Sequence, residues 1–175
     1  GLVNSSAAQD FRKVQVWIGL PGCTLESADF VPPPPNEVPR RINELIEWWR
    51  GEYMNVLYGT DGDKILAIAQ FHERFLSIHP FLDGNGRIAR VMMNAELVKA
   101  NQTRIIIPTV YRDDYLGALR RLTRNDDPAV YIRMLQRAQE FSATLIANDM
   151  EALENHLTQS NAFKEHDEAK LKILQ

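Results

Sequence analysis

The sequence predicts a mainly α domain, a helical bundle around one central buried helix and the helix that follows it, with a small β-hairpin flap at the N-terminal end. Three observations carry that expectation. From residue 38 onward, apolar residues recur at three- and four-residue spacing in successive segments, the mark of helices with one face against a core. Only one early stretch, Phe11 to Ile18, alternates in the manner of a strand, and it ends in a Gly19-Leu20-Pro21-Gly22 turn. A chain of 175 residues, 45% hydrophobic and 25% charged, can bury one sizeable core without a second domain.

Residues 1–10 have no usable period and are expected to be a disordered or linker start. In the next stretch Val14, Val16 and Ile18 share one face of a strand, and a second extended piece, Ser27 to Val31, can pair with it as a hairpin over about residues 11–31, which reads equally as an edge hairpin packed on the core or as a functional flap. Pro32-Pro33-Pro34-Pro35 is stiff polyproline II, which reads as a spacer rather than a ligand for a proline-binding module. Val38-Pro39 opens a helix to about Arg50, with Ile42, Leu45, Ile46 and Trp49 at core spacing. Trp48 and Trp49 read as core, not as a cofactor platform. Tyr53 to Gly62 reads as a loop, with Asp61 or Asp63 capping the next helix. No carboxylates follow Asp61-Gly62-Asp63 at calcium-loop spacing. The helix Lys64 to Ile78 then places Ile65, Ile68, His72, Phe75 and His79 on one broad apolar face, flanked by Ala69 and Leu76, and is the central buried helix. His72-Glu73 and His79 lack metal-ligand spacing, so His72 reads as a satisfied core histidine.

Later in the chain, Asn101-Gln102 breaks the helical pattern, and Ile105-Ile106-Ile107-Pro108 reads as a buried connector. Two helices follow, Asp113 to Arg124 and Asp127 to Met150, closing a core of about residues 38–150 within a domain of residues 11–150. Arg120, Arg121 and Arg124 read as a solvated basic patch. Residues 151–175 form a charged, partly helical tail, open to packing or to a homo-oligomer. The single cysteine, Cys23, excludes an intrachain disulfide and argues against a cysteine-based zinc site. A net charge of −3 argues against general nucleic-acid binding. No apolar run approaches membrane-spanning length, so the default expectation is a soluble cytoplasmic domain with no membrane partner.

One stretch stands apart from the scaffold. His79-Pro80-Phe81-Leu82-Asp83-Gly84-Asn85-Gly86-Arg87-Ile88-Ala89-Arg90 brings together a titratable base, a carboxylate, a glycine-framed turn and two arginines. Asp-Gly and Asn-Gly tolerate positive φ, so this backbone can curl until successive N–H groups point inward as an anion-binding nest. A helix beginning near Gly86 and running to about Lys99 adds unpaired N–H donors and a partial positive charge. At helical spacing Arg87, Arg90 and Asn94 share one face, and Ile88, Met92 and Ala95 a neighbouring one. Leu97 and Val98 come round to the arginine side, which predicts a helix buried over much of its length. Singly, the turn, the arginines and the histidine each have ordinary structural explanations. Jointly they suit a phosphoryl or nucleotidyl transfer site.

These residues resemble the signature of the Fic family, H-x-F-x-[DE]-G-N-G-R-x-x-R, with every defined position filled. The likeness extends to Phe11–Gly19 and Phe30–Pro34, which resemble the family's flap and proline turn, and to His72 and Phe75 ahead of the motif. The resemblance implies a Fic-like helical bundle and a protein adenylyltransferase that moves AMP from Mg²⁺·ATP to a Ser, Thr or Tyr hydroxyl of a target protein. By the family pattern His79 is the general base and Asp83 holds Mg²⁺. Gly84, Asn85 and Gly86 cradle the α- and β-phosphates through backbone amides and the Asn85 side chain, Arg87 serves the β-phosphate and Arg90 the γ-phosphate. The flap, about Val14 to Ile18, is implied to dock the target protein by strand addition. Phe81 reads as an anchor into the core.

This chain departs from the family in two places. The inhibitory pattern [ST]-x-x-x-E-[GN], whose glutamate pairs with the motif's last arginine, has no match here. An inhibitory helix outside this sequence, an inhibitory partner and an unrestrained enzyme all stay open. The region after Pro108 also lacks the tryptophan-rich helix of many relatives, which leaves the adenine pocket unmapped with Tyr115 as its one candidate. Alternatives to adenylyl transfer are de-AMPylation, transfer of UMP or phosphocholine, and a non-catalytic nucleotide-binding peptide adaptor. The kinase chemistry of the related Doc toxins fits less well, because they resemble a version with A-N-K in place of Gly84-Asn85-Gly86.

Overall fold

The computed structural model describes residues 10–107, 112–125 and 128–159, and these form six α-helices. They are α1 (Val38–Tyr58), α2 (Asp61–Ile78), α3 (Asn85–Lys99), α4 (Arg112–Asn125), α5 (Pro128–Ile146) and α6 (Met150–Gln159). α2 is the centre of the bundle, with α1, α3, α4 and α5 packed around it. Its sequence explains that position, because Ile65, Ala67, Ile68, Ala69, Phe71, His72, Phe75 and Ile78 are all buried and cover most of its circumference. Two apolar clusters meet on it. One joins Ile68 to Met93, Leu97, Tyr131, Met134 and Leu135; the other joins Phe71, Phe75 and Ile78 to Val38, Leu45 and Ala89. Trp49 borders both clusters, its ring 4.7 Å from that of Phe71, while Trp48 lies under the Arg74 guanidinium at 4.2 Å. Both tryptophans are therefore packing residues, as expected. Burying each large apolar side chain of this kind contributes about 1.5–3 kcal/mol, so the helices around α2 are held mainly by packing. No helix among the described residues is long and apolar enough to cross a membrane.

Several expectations are corrected. The β-hairpin flap does not form: among the described residues there is no strand, only one antiparallel bridge in which Ile18 and Phe30 exchange N–H···O bonds of 2.9 and 3.0 Å. Nothing pins a longer register, because Val14 and Ile18 face solvent instead of forming a buried stripe, and the segment's other polar groups bond elsewhere. The Gln15 amide donates to the Pro32 carbonyl at 2.9 Å, and the Arg12 N–H donates to the Pro80 carbonyl at 2.8 Å. The proline run is a spacer, but Pro35 already starts a 3-10 turn, Pro35–Glu37, where its missing N–H is no loss.

The loop expected from Tyr53 to Gly62 is mostly helix, since α1 continues to Tyr58 and buries Val56 there. Ile46 is exposed rather than core. α3 buries a single stripe of Asn85, Ala89, Met93 and Leu97 and leaves Val91 and Val98 exposed, so it is not buried most of the way round. In the connector Ile105 is buried but Ile106 is exposed. The last long helix stops at Ile146, not Met150. Asn148 turns through a left-handed backbone (φ 53°), and the Asp149 carboxylate accepts the Ala152 N–H at 2.9 Å to start α6. Residues 1–9, Pro108, Asp127 and most of the 151–175 tail lie outside the described residues.

Candidate active site

The motif is positioned by the way α2 ends and α3 begins. Thr60 opens α2 with a reciprocal capping box, its hydroxyl accepting the Asp63 N–H while the Asp63 carboxylate accepts the Thr60 N–H. Seventeen residues past Asp61, Ile78 closes the helix, and His79 follows as its C-cap in the left-handed region (φ 50°, ψ 60°), donating its N–H to the Phe75 carbonyl at 3.1 Å. The chain then turns sharply into Pro80 and Phe81. Phe81 is the expected anchor, with its ring 6.0 Å from Phe11 and 6.4 Å from Phe75.

Asn85 closes the turn. Its side-chain amide donates to the Phe81 carbonyl at 2.7 Å and its side-chain oxygen accepts the Phe81 N–H at 2.9 Å. Only 3% of the residue is exposed, so the Asn85 side chain, read from sequence as part of a phosphate cradle, is used to shape the loop. Gly84 precedes it as the N-cap of α3 at φ 86°, and its N–H donates to Asp83 Oδ1 at 2.6 Å. Of the two glycines only Gly84 uses a positive φ. Gly86 is already helical and serves another purpose, because a Cβ there would stand 3.3 Å from Arg90 Nη1.

His79, Asp83, Gly84, Asn85, Gly86, Arg87 and Arg90 all border one cleft of about 830 Å³. Ile18 to Pro21 and Phe30 also line it, and Ile107, Tyr115, Leu116 and Leu119 add an apolar part to its lining. A second depression of about 520 Å³ under Pro33 and Pro34 contains none of the motif residues. The cleft is rich in cations, since Arg112 and Arg120 also border it. At its floor the first-turn amides of α3 lack intrahelical acceptors and carry the positive end of the helix dipole, an arrangement suited to an anion.

Burial holds the His79 imidazole below the usual histidine pKa, the nearby Arg12 cation adds to that, and a hydrogen bond to the Leu76 carbonyl works the other way. The ring is therefore mainly neutral near pH 7, with a free nitrogen able to accept a proton. Arg87 Nη2 donates to Asp83 Oδ2 at 2.8 Å, an exposed pair that is screened by solvent and easily exchanged. No cluster of three or more His, Cys, Asp or Glu that could cage a metal occurs among the described residues. The exposed Asp83 carboxylate nevertheless fits Mg²⁺, which commonly takes one protein carboxylate and completes its shell with phosphate oxygens and water.

His72 is the satisfied core histidine that the sequence predicts. It is fully buried, with Nε2 3.1 Å from the Tyr115 hydroxyl and Nδ1 hydrogen-bonded to the Tyr131 hydroxyl, and burial drives its pKa down to about 3, with the Arg90 cation adding to the fall. Tyr115, the candidate adenine contact, is only 4% exposed, and its hydroxyl is turned into this network. Its ring supports Arg90 instead, whose Cζ lies 5.9 Å from the ring centroid. Sequence reading missed Arg12, Tyr131 and the clasp between Asn94 and Ile105, in which Asn94 Nδ2 donates to the Ile105 carbonyl at 3.0 Å and Oδ1 accepts its N–H at 2.7 Å. None has a local signature, because their partners lie far away in the chain.

Comparison with known proteins gives a consistent result. A model of the Fic/DOC family matches residues 2–97. Proteins named protein adenylyltransferase Fic from Drosophila grimshawi and Drosophila willistoni are each 30% identical over 140 residues, which is 80% of this chain but 26% and 25% of theirs. The chain thus spans about a quarter of the length of these curated relatives. A crystal structure of a Fic domain containing signaling protein from Bacteroides thetaiotaomicron VPI-5482 superposes with a TM-score of 0.51 at 28% identity, covering 63% of this chain and 38% of that one.

Proposed function

Because this chain belongs to the Fic/DOC family, we propose that it is a protein adenylyltransferase, moving AMP from ATP to a Ser, Thr or Tyr hydroxyl of another protein. The observation that carries this reading is the convergence of seven motif residues, from His79 to Arg90, on one cleft, with an imidazole kept below its ordinary pKa beside a helix N-terminus flanked by arginines. The names of the fly relatives support the same chemistry.

In this mechanism the triphosphate lies over the α3 N-terminus, where the backbone N–H groups of Asn85 and Gly86, joined by that of Gly84 once it leaves Asp83 Oδ1, receive the α- and β-phosphates. Arg87 exchanges its exposed pairing with Asp83 for the β-phosphate, and Arg90, supported by Tyr115, takes the γ-phosphate. Asp83 would hold Mg²⁺, which would supply positive charge to offset that of the phosphate oxygens. His79 accepts the proton of the target hydroxyl as that oxygen bonds to the α-phosphorus, the bond from the α-phosphorus to the bridging oxygen breaks, and pyrophosphate leaves. General-base help of this kind typically contributes about 10²–10⁴-fold. The target's backbone docks along Val14 to Ile18, a reading supported by the exposure of Val14 and Trp17 and by the single bridge that segment makes.

The test is incubation of the chain and a cell lysate with Mg·ATP, followed by mass spectrometry. An AMP increment on a hydroxyl residue is expected, and it should vanish in His79→Ala. Undiminished labelling by that variant would remove His79 as the base. A parallel panel of UTP, GTP and a phosphocholine donor checks the choice of transferred group.

A further inference from the structure

We infer that Arg12 is the positioning residue for the His79 loop and the mechanical link between the target-docking segment and the base. Its backbone N–H donates to the Pro80 carbonyl at 2.8 Å, its Nε to the His79 carbonyl at 2.8 Å, and its Nη2 to the Ile78 carbonyl at 3.5 Å. One residue thus takes three successive carbonyls around the base. The rest of the guanidinium reaches the Val14 carbonyl at 3.1 Å and the Pro33 carbonyl. Only 2% of Arg12 is exposed, and every acceptor it meets among the described residues is a backbone carbonyl.

A buried cation without a carboxylate is costly unless its surroundings replace water. Here they do. α2 ends at Ile78, whose carbonyl, beyond the last intrahelical bond to Phe75, has no donor within the helix and lies at the negative end of the dipole. The planar fork of five N–H donors can span carbonyls from three chain segments, which a lysine ammonium cannot. His79 sits in a left-handed conformation that a β-substituted residue seldom adopts unaided, and Arg12 grips its carbonyl from outside the helix. The same guanidinium grips Val14, where the docking segment begins. A target strand that orders Val14 to Ile18 thereby steadies Arg12 and, through it, the base. This deepens the reading of His79 as general base and rests on it.

The other charged groups bordering the cleft are Asp29, Asp83, Arg87, Arg90, Arg112 and Arg120. Arg12 is the one whose charge weighs on His79, in the direction that keeps the ring neutral.

The test compares Arg12→Lys and Arg12→Gln with the parent chain by calorimetric Mg·ATP binding, transfer kinetics and NMR of His79, its signals assigned by their loss in His79→Asn. Both variants are expected to keep their affinity for Mg·ATP, because Arg12 touches no residue of the phosphate turn, while kcat falls roughly 10- to 100-fold as the base loses its placement. The His79 amide resonance should move in both. The imidazole should titrate at higher pH in Arg12→Gln, which lacks the cation, and near the parent value in Arg12→Lys, which keeps it. Unchanged kcat in folded Arg12→Lys, or affinity lost in step with kcat, overturns the inference. If Arg12→Gln does not fold, Arg12→Lys decides alone by its kcat and its His79 amide. If the parent chain transfers no nucleotide, the proposed function falls, and an unmoved His79 amide in either variant would then overturn the positioning role separately.

Discussion

Gly84 and Gly86 look alike in the motif and do different work. Gly84 occupies φ 86°, so Gly84→Ala is expected to strain the turn by about 1 kcal/mol, seen as an earlier urea midpoint. Gly86 lies in regular helix, where alanine is the better residue by up to about 1 kcal/mol, yet a Cβ there meets Arg90. Gly86→Ala should therefore hold or raise stability while weakening Mg·ATP binding in calorimetry; a variant that loses stability and keeps affinity would reverse this assignment. The direction of the His79 shift sets a third expectation, that the acid limb of the pH–rate profile lies below the ordinary histidine value of about 6.5. A limb above that value would contradict a buried base beside Arg12. The types and order of the motif residues were legible in the sequence. What was not legible is which side chains face ligand and which face the loop, as Asn85 shows by bonding to both backbone groups of Phe81. That division depends on burial, which the identity of a residue does not disclose.

Helix boundaries follow the sequence where a local signal exists and depart from it where tertiary packing decides. α2 and α3 begin within three residues of expectation, because an Asp-Gly-Asp and a Gly-Asn-Gly each mark a start. α1 ran past its expected end because burial of Val56 rewards the extra turns, and periodicity alone gave no stop at Ile146. The expected flap fails to form for a related reason. Alternation suggested a strand, but in the folded chain the segment is held by Arg12 and Gln15, two polar residues, and not by an apolar face. The capping box of α2 supports a further expectation at this scale. Thr60→Ala should cost about 0.5–2 kcal/mol in denaturant unfolding, and should leave Mg·ATP affinity unchanged, since Thr60 lies at the far end of the helix from His79. A loss of affinity without a loss of stability would show that the two ends of α2 are coupled in some other way.

Across the whole molecule, α2, α4 and α5 are joined by the hydrogen bonds of His72 to Tyr115 and Tyr131. His72 is neutral when folded, with a pKa of about 3, and takes up a proton near pH 6.5 when unfolded. The unfolded state therefore binds more protons between those values, so stability is full above about pH 6.5 and falls as pH drops toward 3, by an amount on the order of 5 kcal/mol. Urea unfolding from pH 7 to 4 should show this slope, and His72→Gln should flatten it while lowering stability at pH 7; parallel curves for the two chains would refute the assignment. The bundle and its central helix were visible from hydrophobic spacing, but this network was not, because Tyr131 lies 59 residues beyond His72 in the chain. The same network bears on where the protein can be cut. The family match ends at residue 97, yet a fragment ending there would leave both His72 nitrogens without their tyrosines and uncover Ile68, Met93 and Leu97. A piece that keeps this cluster closed extends through Ala138, so protease trimming is expected to produce no stable fragment that stops between α3 and α5.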